Sequence, residues 1–129
     1  MSTARFNTLE NAAGTKTVPV ATVVDGSAKA WVNFNGTGTV AIRASFNVSS
    51  ITDNGTGDYT VNFTAAMADT NYAYVLHASW PDGTSAQASA GRASDSTKTT
   101  SAFRFFAFNG LGTTFALLDS PEACVSIFR

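Results

Sequence analysis

The motif NGTG occurs at residues 35–38 and again at residues 54–57, and its glycines are the first candidates for a chemical role. The first copy overlaps the hexapeptide GTGTVA, which matches the dinucleotide-binding pattern G-x-G-x-x-G/A. That pattern must be followed by a helix, because the helix N-terminus faces the pyrophosphate. Here the motif is followed by TVAIRASF, whose apolar residues alternate as in a strand, and Asn-Gly between alternating segments predicts a hairpin turn. We therefore expect both copies to reverse the chain, and we predict no cofactor.

The side chains that most often perform chemistry are scarce. His77 is the only histidine and Cys124 is the only cysteine, so the sequence offers neither an intrachain disulfide nor a Cys and His set for a metal. Ser-His-Asp catalysis would need His77, yet the sequence contains no nucleophile-elbow pattern. Cys124 lies in the apolar segment EACVSIFR, where we expect a buried, unreactive thiol.

Aspartates are the remaining candidate acids and bases. Most lie in predicted turns, where Asp is expected because its side chain hydrogen-bonds to the nearby backbone. They are Asp53, Asp58, Asp69, Asp82, Asp95 and Asp119. A glycosidase needs two carboxylates that face each other across a cleft, and the sequence nominates no such pair. We predict no catalytic residue and a protein that is not an enzyme, with a small glycan depolymerase as one alternative.

Composition predicts a polar surface that carries few charges. Charged residues make up 13% of the chain, hydrophobic residues make up 44%, and the net charge is −1. Nucleic-acid binding needs a basic stripe, but Lys and Arg are scattered, so we predict no nucleic-acid partner. No stretch has the length and apolarity of a signal peptide or a membrane span. We therefore expect a protein that is made in the cytoplasm and has no membrane partner.

Alternation of apolar and polar residues is the main structural signal of the chain. The segments AKAWVNFN, TVAIRASF and GDYTVNFT each predict a strand with one buried face. In TVAIRASF that face should carry Val40, Ile42 and Phe46. No segment has a clear helical period, and TAAMADTN, from Thr64, holds one turn at most. We predict an all-β protein of roughly seven to nine short strands, folded as an antiparallel β-sandwich that is jelly-roll-like.

Two segments interrupt the alternation. Residues 1–17 are polar, and we expect them to form an extended N-terminal arm for attachment or assembly, followed by a β-sandwich head domain at residues 18–129. Residues 83–101, rich in Ser and Ala, form a long loop or hide a weak edge strand. Because loops on a rigid sandwich carry recognition, we predict a contact surface there. Its candidate residues are Trp80, Asp82, Gln87 and Arg92.

Aromatic residues provide the candidates for a subunit interface. The strand SAFRFFAF is apolar on both faces, which indicates that one of them packs against another subunit. The candidates are Phe103, Phe105, Phe106 and Phe108, together with Phe128 of the last strand. Trp31 lies on an otherwise polar strand face, and Trp80 lies at the start of the long loop. Each tryptophan suits either stacking on a sugar ring or packing against a neighbouring subunit.

A long central segment resembles a known module. Residues 28–75, AKAWVNFNGTGTVAIRASFNVSSITDNGTGDYTVNFTAAMADTNYAYV, resemble part of the tail fibre proteins of tailed bacteriophages, including marine ones. The closing CVSIFR is similar to the last strand of that module, and the opening MSTARFNTLENAAG is similar to the start of short phage fibre proteins. The resemblance implies a homotrimeric, β-rich fibre tip that is attached to the virion through its N-terminus and contacts the host surface.

The resemblance and the polar surface together predict a structural virion protein, a tail fibre or fibre-tip protein that contacts bacterial surface polysaccharide. Its predicted partners are other copies of the chain and, through the arm, other virion proteins. We expect a head with a short arm and without the shaft of a long fibre. A capsid decoration protein or a tail adaptor with no receptor role is therefore the alternative.

Overall fold

A computed structural model describes residues 5–79, 90–109 and 116–129, with the backbone alone at residues 90–97 and at Asn109. Apart from one short helix, the regular elements of these residues are β-strands in antiparallel sheets, which confirms the predicted all-β class. In chain order they are β1 (Thr8–Glu10), β2 (Thr17–Pro19), α1 (Val20–Gly26), β3 (Ala28–Asn35), β4 (Ala41–Phe46), β5 (Val48–Gly55), β6 (Asp58–Phe63), β7 (Ala73–Ala78), β8 (Ala90–Lys98), β9 (Ala102–Asn109), β10 (Ala116–Leu117) and β11 (Ala123–Phe128).

The described strands form two larger sheets and a small hairpin. One sheet has the order β10-β9-β6-β5, and β8 also pairs with β9. The other sheet has the order β4-β3-β11-β7, while β1 and β2 pair only with each other. The hairpins β3–β4, β5–β6 and β8–β9 each lie within one sheet. This strand order therefore does not by itself establish the predicted jelly-roll-like connections.

Aromatic contacts join the two larger sheets across a shared core. Phe34 of β3 lies 5.2 Å from Tyr59 of β6 and 6.2 Å from Phe105 of β9, measured between ring centroids. Tyr74 of β7 lies 4.8 Å from Phe103 of β9. Apart from Tyr74, these rings are fully buried, and their burial removes apolar surface from water, which is the main stabilising contribution to such a fold. The inner faces of the sheets therefore pack against each other in a sandwich-like arrangement.

Residues 5–26, which we call the N-terminal segment, contain a helix that the sequence analysis missed. The hairpin β1–β2 and helix α1 bury no residue fully, and Val23 and Val24 of the helix are exposed. The helix was missed because VATVVDG is rich in β-branched residues, which favour strands, and is too short for the spacing of Val20, Val23 and Val24 to identify a helix. The Nζ of Lys29 donates hydrogen bonds to the carbonyl oxygens of Val24 and Ser27, which satisfies acceptors at the end of the helix. No helix of the described residues is long and apolar enough to cross a membrane.

Strand β4 departs from the predicted burial pattern. Ile42 and Phe46 were expected to share a buried face, but every residue of β4 is exposed. The register shifts along the strand, so that Phe46 pairs with Trp31 whereas Ile42 pairs with Phe34. Paired residues of neighbouring strands share a face, and one extra residue in a bulge reverses that face. Phe46 therefore lies on the outer side of the sheet, where it is 55% exposed.

Residues 90–98 correct the predicted loop at residues 83–101. They form β8, which runs antiparallel to β9 from Ala90, opposite Phe108, to Lys98, opposite Phe103. The weak edge strand that was the alternative interpretation is therefore present in this part of the segment. Residues 83–89 lie outside the described residues.

Candidate functional site

Both NGTG motifs lie in hairpin turns, as predicted. The first joins β3 to β4, the second joins β5 to β6, and each is followed by a strand. Gly38 and Gly57 have φ angles of +62° and +64°, a region that glycine enters without a steric cost. Gly57 is also tightly packed, since a Cβ there would lie 2.5 Å from the carbonyl oxygen of Ala107. The glycines serve chain reversal and close packing, and the first motif lacks the following helix that a phosphate site needs.

Two of the turn aspartates accept hydrogen bonds that hold turns in place. The Asp119 carboxylate accepts a bond of 2.8 Å from the backbone N–H of Gly57 and one of 2.9 Å from the hydroxyl of Tyr59. Burial and the nearby Asp119 carboxylate raise the pKa of Tyr59, so its hydroxyl stays protonated and able to donate. Asp53 accepts a bond of 3.0 Å from the backbone N–H of Gly55. These carboxylates have structural roles that explain their positions.

Asp58 and Asp69 each form a bidentate ion pair with an arginine. The Asp69 carboxylate accepts bonds of 2.8 and 2.6 Å from Arg129, which lower the pKa of Asp69 to about 2. The Asp58 carboxylate accepts bonds of 2.8 and 2.5 Å from Arg104. These bonds hold the pKa of Asp58 below its ordinary value of 3.8, against the opposing effect of burial. A carboxylate with a lowered pKa remains ionised near neutral pH and is therefore a poor general acid.

His77 and Cys124 are cross-strand neighbours on β7 and β11. The thiol of Cys124 is free and only partly buried, in contrast to the expected full burial. Burial, together with the nearby Glu122 carboxylate, raises the pKa of the Cys124 thiol, which disfavours the reactive thiolate. Among the described residues, no three side chains of the types His, Cys, Asp and Glu come close enough together to hold a metal ion.

One sheet carries hydroxyl and amide groups on its outer side. We call this surface the polar face, and it consists of Ser50, Thr52, Asn54, Asp58, Thr60, Asn62 and Arg104. The amide nitrogen of Asn62 donates to the hydroxyl oxygens of Ser50 at 3.0 Å and Thr52 at 2.9 Å. The amide nitrogen of Asn54 donates to the hydroxyl oxygen of Thr60 at 2.9 Å. These bonds fix the orientation of side chains that would otherwise be free to rotate in water.

The ion pair of Asp58 and Arg104 lies at one end of the polar face. The Asp58 side chain is 12% exposed and that of Arg104 is 42% exposed. The guanidinium of Arg104 also lies 5.5 Å from the ring centroid of Phe106, within range of a cation–π interaction. The polar face thus ends in a paired carboxylate and guanidinium next to the ring of Phe106.

The other sheet carries large apolar side chains on its outer side. We call this surface the apolar face, and it consists of Trp31, Phe46 and Val75. The pairing register places them in one row across the sheet, from Phe46 to Trp31, then Ser126 and Val75. Trp31 is 39% exposed and Val75 is 61% exposed. Exposed apolar side chains that lie side by side mark contact surfaces more often than isolated ones do.

A cavity of about 490 Å³ lies beside the apolar face. Phe46 belongs to the apolar face and also lines the cavity. Val24 of helix α1 and Met67 provide further apolar walls, while Lys29 and Arg129 contribute basic groups. The cavity lies between helix α1 and the larger sheet that contains β3, β4 and β11. It therefore extends the apolar face toward that helix.

The predicted interface residues separate into two groups. Phe103 and Phe105 have no exposed surface, so they belong to the core of the subunit and cannot provide an interface. Phe106, Phe108 and Phe128 alternate with core residues and are partly buried. Alternation within SAFRFFAF explains this division, because successive side chains of a strand point to opposite faces.

Three of the four predicted contact residues lie outside the part of the chain that the structure describes. Trp80, Asp82 and Gln87 lie outside the described residues, and only the backbone of Arg92 is described, in register with Phe106. Asp95 is likewise described by its backbone alone. Phe46 of the apolar face escaped the sequence analysis because strict alternation placed it in the core. The bulge that moves it to the surface leaves no mark in the sequence that we recognise.

Comparison of the sequence with models of known protein families found no matching family. Comparisons with curated proteins and with solved structures found no match either. The resemblance of residues 28–75 to phage tail fibre modules therefore stays a prediction.

Proposed function

We propose that the chain is a structural virion protein of a tailed phage, a tail fibre or fibre-tip protein that contacts host surface glycans. The observation that carries the proposal is the difference between the two outer sides of the sandwich-like subunit. One side is a polar face of fixed hydroxyls and amides, and the other is an apolar face of exposed aromatic and aliphatic side chains. A subunit of this kind is suited to bury one side in an assembly and to display the other side.

The assembly is proposed to be a homotrimer, in which the apolar face packs against other copies of the chain. Interfaces of stable oligomers are apolar at their centre and rich in aromatic residues. Trp31 and Phe46 supply such residues without being part of the subunit core. They replace Phe103 and Phe105 as the proposed interface, with the partly buried Phe128 of the same sheet as a further contact. Phe106 and Phe108 are not part of this interface, because they lie on the outer side of the other sheet, beside the polar face.

The N-terminal segment is proposed to attach the subunit to other virion proteins. Phe6 is 67% exposed and Leu9 is 46% exposed. A short hairpin followed by a seven-residue helix has little stability of its own. A partner that covers these apolar residues would stabilise the segment.

Immunogold labelling of intact particles with an antibody against the chain tests the location. Label at the tail supports the fibre or fibre-tip role, whereas label spread over the head supports the alternative, a capsid decoration protein. Label at the head–tail joint supports a tail adaptor. Absence of the chain from purified particles would overturn the virion role altogether.

The proposed contact with glycans does not include cleavage. The carboxylates of Asp53, Asp58, Asp69 and Asp119 all accept hydrogen bonds from other groups of the fold. Incubation with host polysaccharide, followed by measurement of reducing ends, checks this statement. Release of new reducing ends would favour a glycan depolymerase instead.

A further inference from the structure

We infer that the polar face is a binding surface for a neutral polysaccharide. The inference rests on the proposed function and deepens it, because it assigns glycan contact to β5, β6 and β9. The sequence analysis assigned that contact to residues in and beside the loop 83–101.

The hydrogen bonds within the polar face leave a defined set of groups for a ligand. The amide nitrogens of Asn54 and Asn62 are occupied by the hydroxyl oxygens of Thr60, Ser50 and Thr52. Within the described residues, the amide oxygens of both asparagines have no donor, and the three hydroxyl protons have no acceptor. The face therefore offers two acceptors and three donors in fixed positions. A sugar hydroxyl both donates and accepts, so it can use the two kinds of group together.

The positions of these groups suit an extended chain of sugars. Ser50 pairs with Asn62, and Thr52 pairs with Thr60, so the polar side chains form rows that run across the strands. Neighbouring strands lie about 4.8 Å apart, which is close to the length of one sugar residue in an extended glycan. A polysaccharide laid across the strands would meet a similar set of polar groups at each step.

The charges of the face favour a neutral ligand over an acidic one. Among the side chains that the structure describes on β5, β6 and β9, Asp58 and Arg104 are the charged members of the polar face, and their bidentate pair leaves no net charge. An anionic polysaccharide would gain little from β5, β6 and β9, because Arg104, the basic side chain described on these strands, already has a carboxylate partner. Hydroxyl and amide groups bind neutral sugars without the desolvation of an ion.

Affinity electrophoresis of the native protein tests the inference. The gels contain dextran, mannan or galactan as neutral polysaccharides, or alginate as an acidic one, at increasing concentration. We expect at least one of the neutral polysaccharides to retard the protein and alginate to leave its mobility unchanged. If alginate retards the protein as strongly as the neutral polysaccharides do, the preference for a neutral ligand is overturned.

The double variant T52V/T60V removes two hydroxyls from the polar face and retains strand-forming side chains of the same shape. We expect its apparent Kd for the neutral polysaccharide to rise about tenfold, since two hydrogen bonds of ordinary strength are lost. The matched control is Thr70→Val, which removes an exposed hydroxyl between β6 and β7. That control should bind as the unaltered protein does. Circular dichroism confirms that each variant is folded.

The outcomes separate the site from the broader proposal. If T52V/T60V binds as tightly as the unaltered protein, the polar face is not the binding surface, although glycan contact elsewhere stands. If none of the neutral polysaccharides retards the unaltered protein, the inference is wrong. The location of the chain on the virion is then still decided by immunogold labelling.

Discussion

At the scale of single residues, a few polar contacts fix the geometry of the surfaces. Asp58 and Arg104 pair at the end of the polar face, and Asp119 holds the turn at Gly57 against Tyr59. Each contact joins residues far apart in the sequence, so its loss should affect the whole fold. Substitution of single residues can therefore measure how much each contact contributes to the free energy of unfolding.

Asp58→Asn should lower stability at neutral pH and make little difference in acid. The pKa of Asp58 is lower in the folded chain than in the unfolded chain, because Arg104 stabilises the carboxylate. Its contribution is thus present above the unfolded value and is lost as pH falls through the lowered folded value. We expect a loss of about 1 kcal/mol at pH 7, at the low end for a charged pair because Arg104 is well exposed. Urea unfolding at pH 7 and at successively lower pH, down to about pH 2, measures the difference.

Asp25→Asn is the matched control, since Asp25 lies in the exposed helix α1 and has no ion pair among the described residues. It changes the net charge by the same amount. An equal effect of both substitutions at pH 7 would show that the ion pair contributes nothing beyond net charge.

Gly57→Ala should destabilise the chain more than Gly38→Ala. Both glycines have positive φ angles, which costs about 1–2 kcal/mol for alanine. At Gly38 an added Cβ meets open space, whereas at Gly57 it meets the backbone of Ala107 and Leu118. We expect about 1–3 kcal/mol more at Gly57 from overpacking. Denaturant unfolding of the two variants measures the difference, and equal losses would contradict the close packing of the second turn.

At the scale of elements, Asn47 holds the point where the chain passes from one sheet to the other. It joins β4 to β5 and has a φ angle of +54°. Its amide nitrogen donates to the carbonyl oxygens of Lys29 at 3.0 Å and Ala65 at 3.1 Å. Its side-chain oxygen accepts a bond of 2.7 Å from the backbone N–H of Ala65. One side chain thus connects β3, the crossing and the segment after β6.

Substitution of Asn47 by glycine and by alanine separates its two roles. Asn47→Gly keeps the backbone conformation and loses the side-chain bonds, so we expect a loss of about 1–3 kcal/mol. Asn47→Ala loses the same bonds and adds about 1–2 kcal/mol of backbone strain. The midpoint of thermal unfolding should fall in the order asparagine, glycine, alanine. If glycine matches asparagine, the hydrogen bonds do not stabilise the crossing.

At the scale of the whole molecule, the apolar face is an apolar surface of the two larger sheets that a single subunit leaves exposed. Trp31, Phe46 and Val75 lie in one row and do not contribute fully to the core. The proposed trimer gives them a partner. Measurement of the native mass in solution, for the unaltered protein and for variants of the apolar face, tests whether this surface is the subunit interface.

The double variant W31T/F46T should reduce the native mass to that of a monomer without unfolding the subunit. Threonine is a good strand former, and the side chains it replaces are 39% and 55% exposed, so the core is largely retained. Light scattering over a concentration series measures the mass, and circular dichroism checks the fold. The control is Ile42→Thr, on the same strand but on its inner side. A double variant that assembles as the unaltered protein does would exclude the apolar face as the interface.

The class of the fold was predictable from the sequence, but the surfaces were not. Alternation identified the strands, and Asn-Gly identified the turns, because both signals are local. The face of Phe46 depends on a register shift between β3 and β4, and the burial of Phe105 depends on a partner sheet. The polar face was not predicted as a unit, because its members come from segments that are adjacent only after folding. Helix α1 was missed because its valines favour strands.

Cys124 gives the chain a built-in reporter of assembly. It is the sole cysteine, and its pairing with Asn33 and His77 places it on the same outer side as Trp31, partly exposed. A thiol-reactive dye would therefore label one known position beside the apolar face. Its raised pKa makes labelling faster in mild alkali. If a neighbouring subunit covers this side, as proposed, the unaltered protein should be labelled more slowly than W31T/F46T at the same pH.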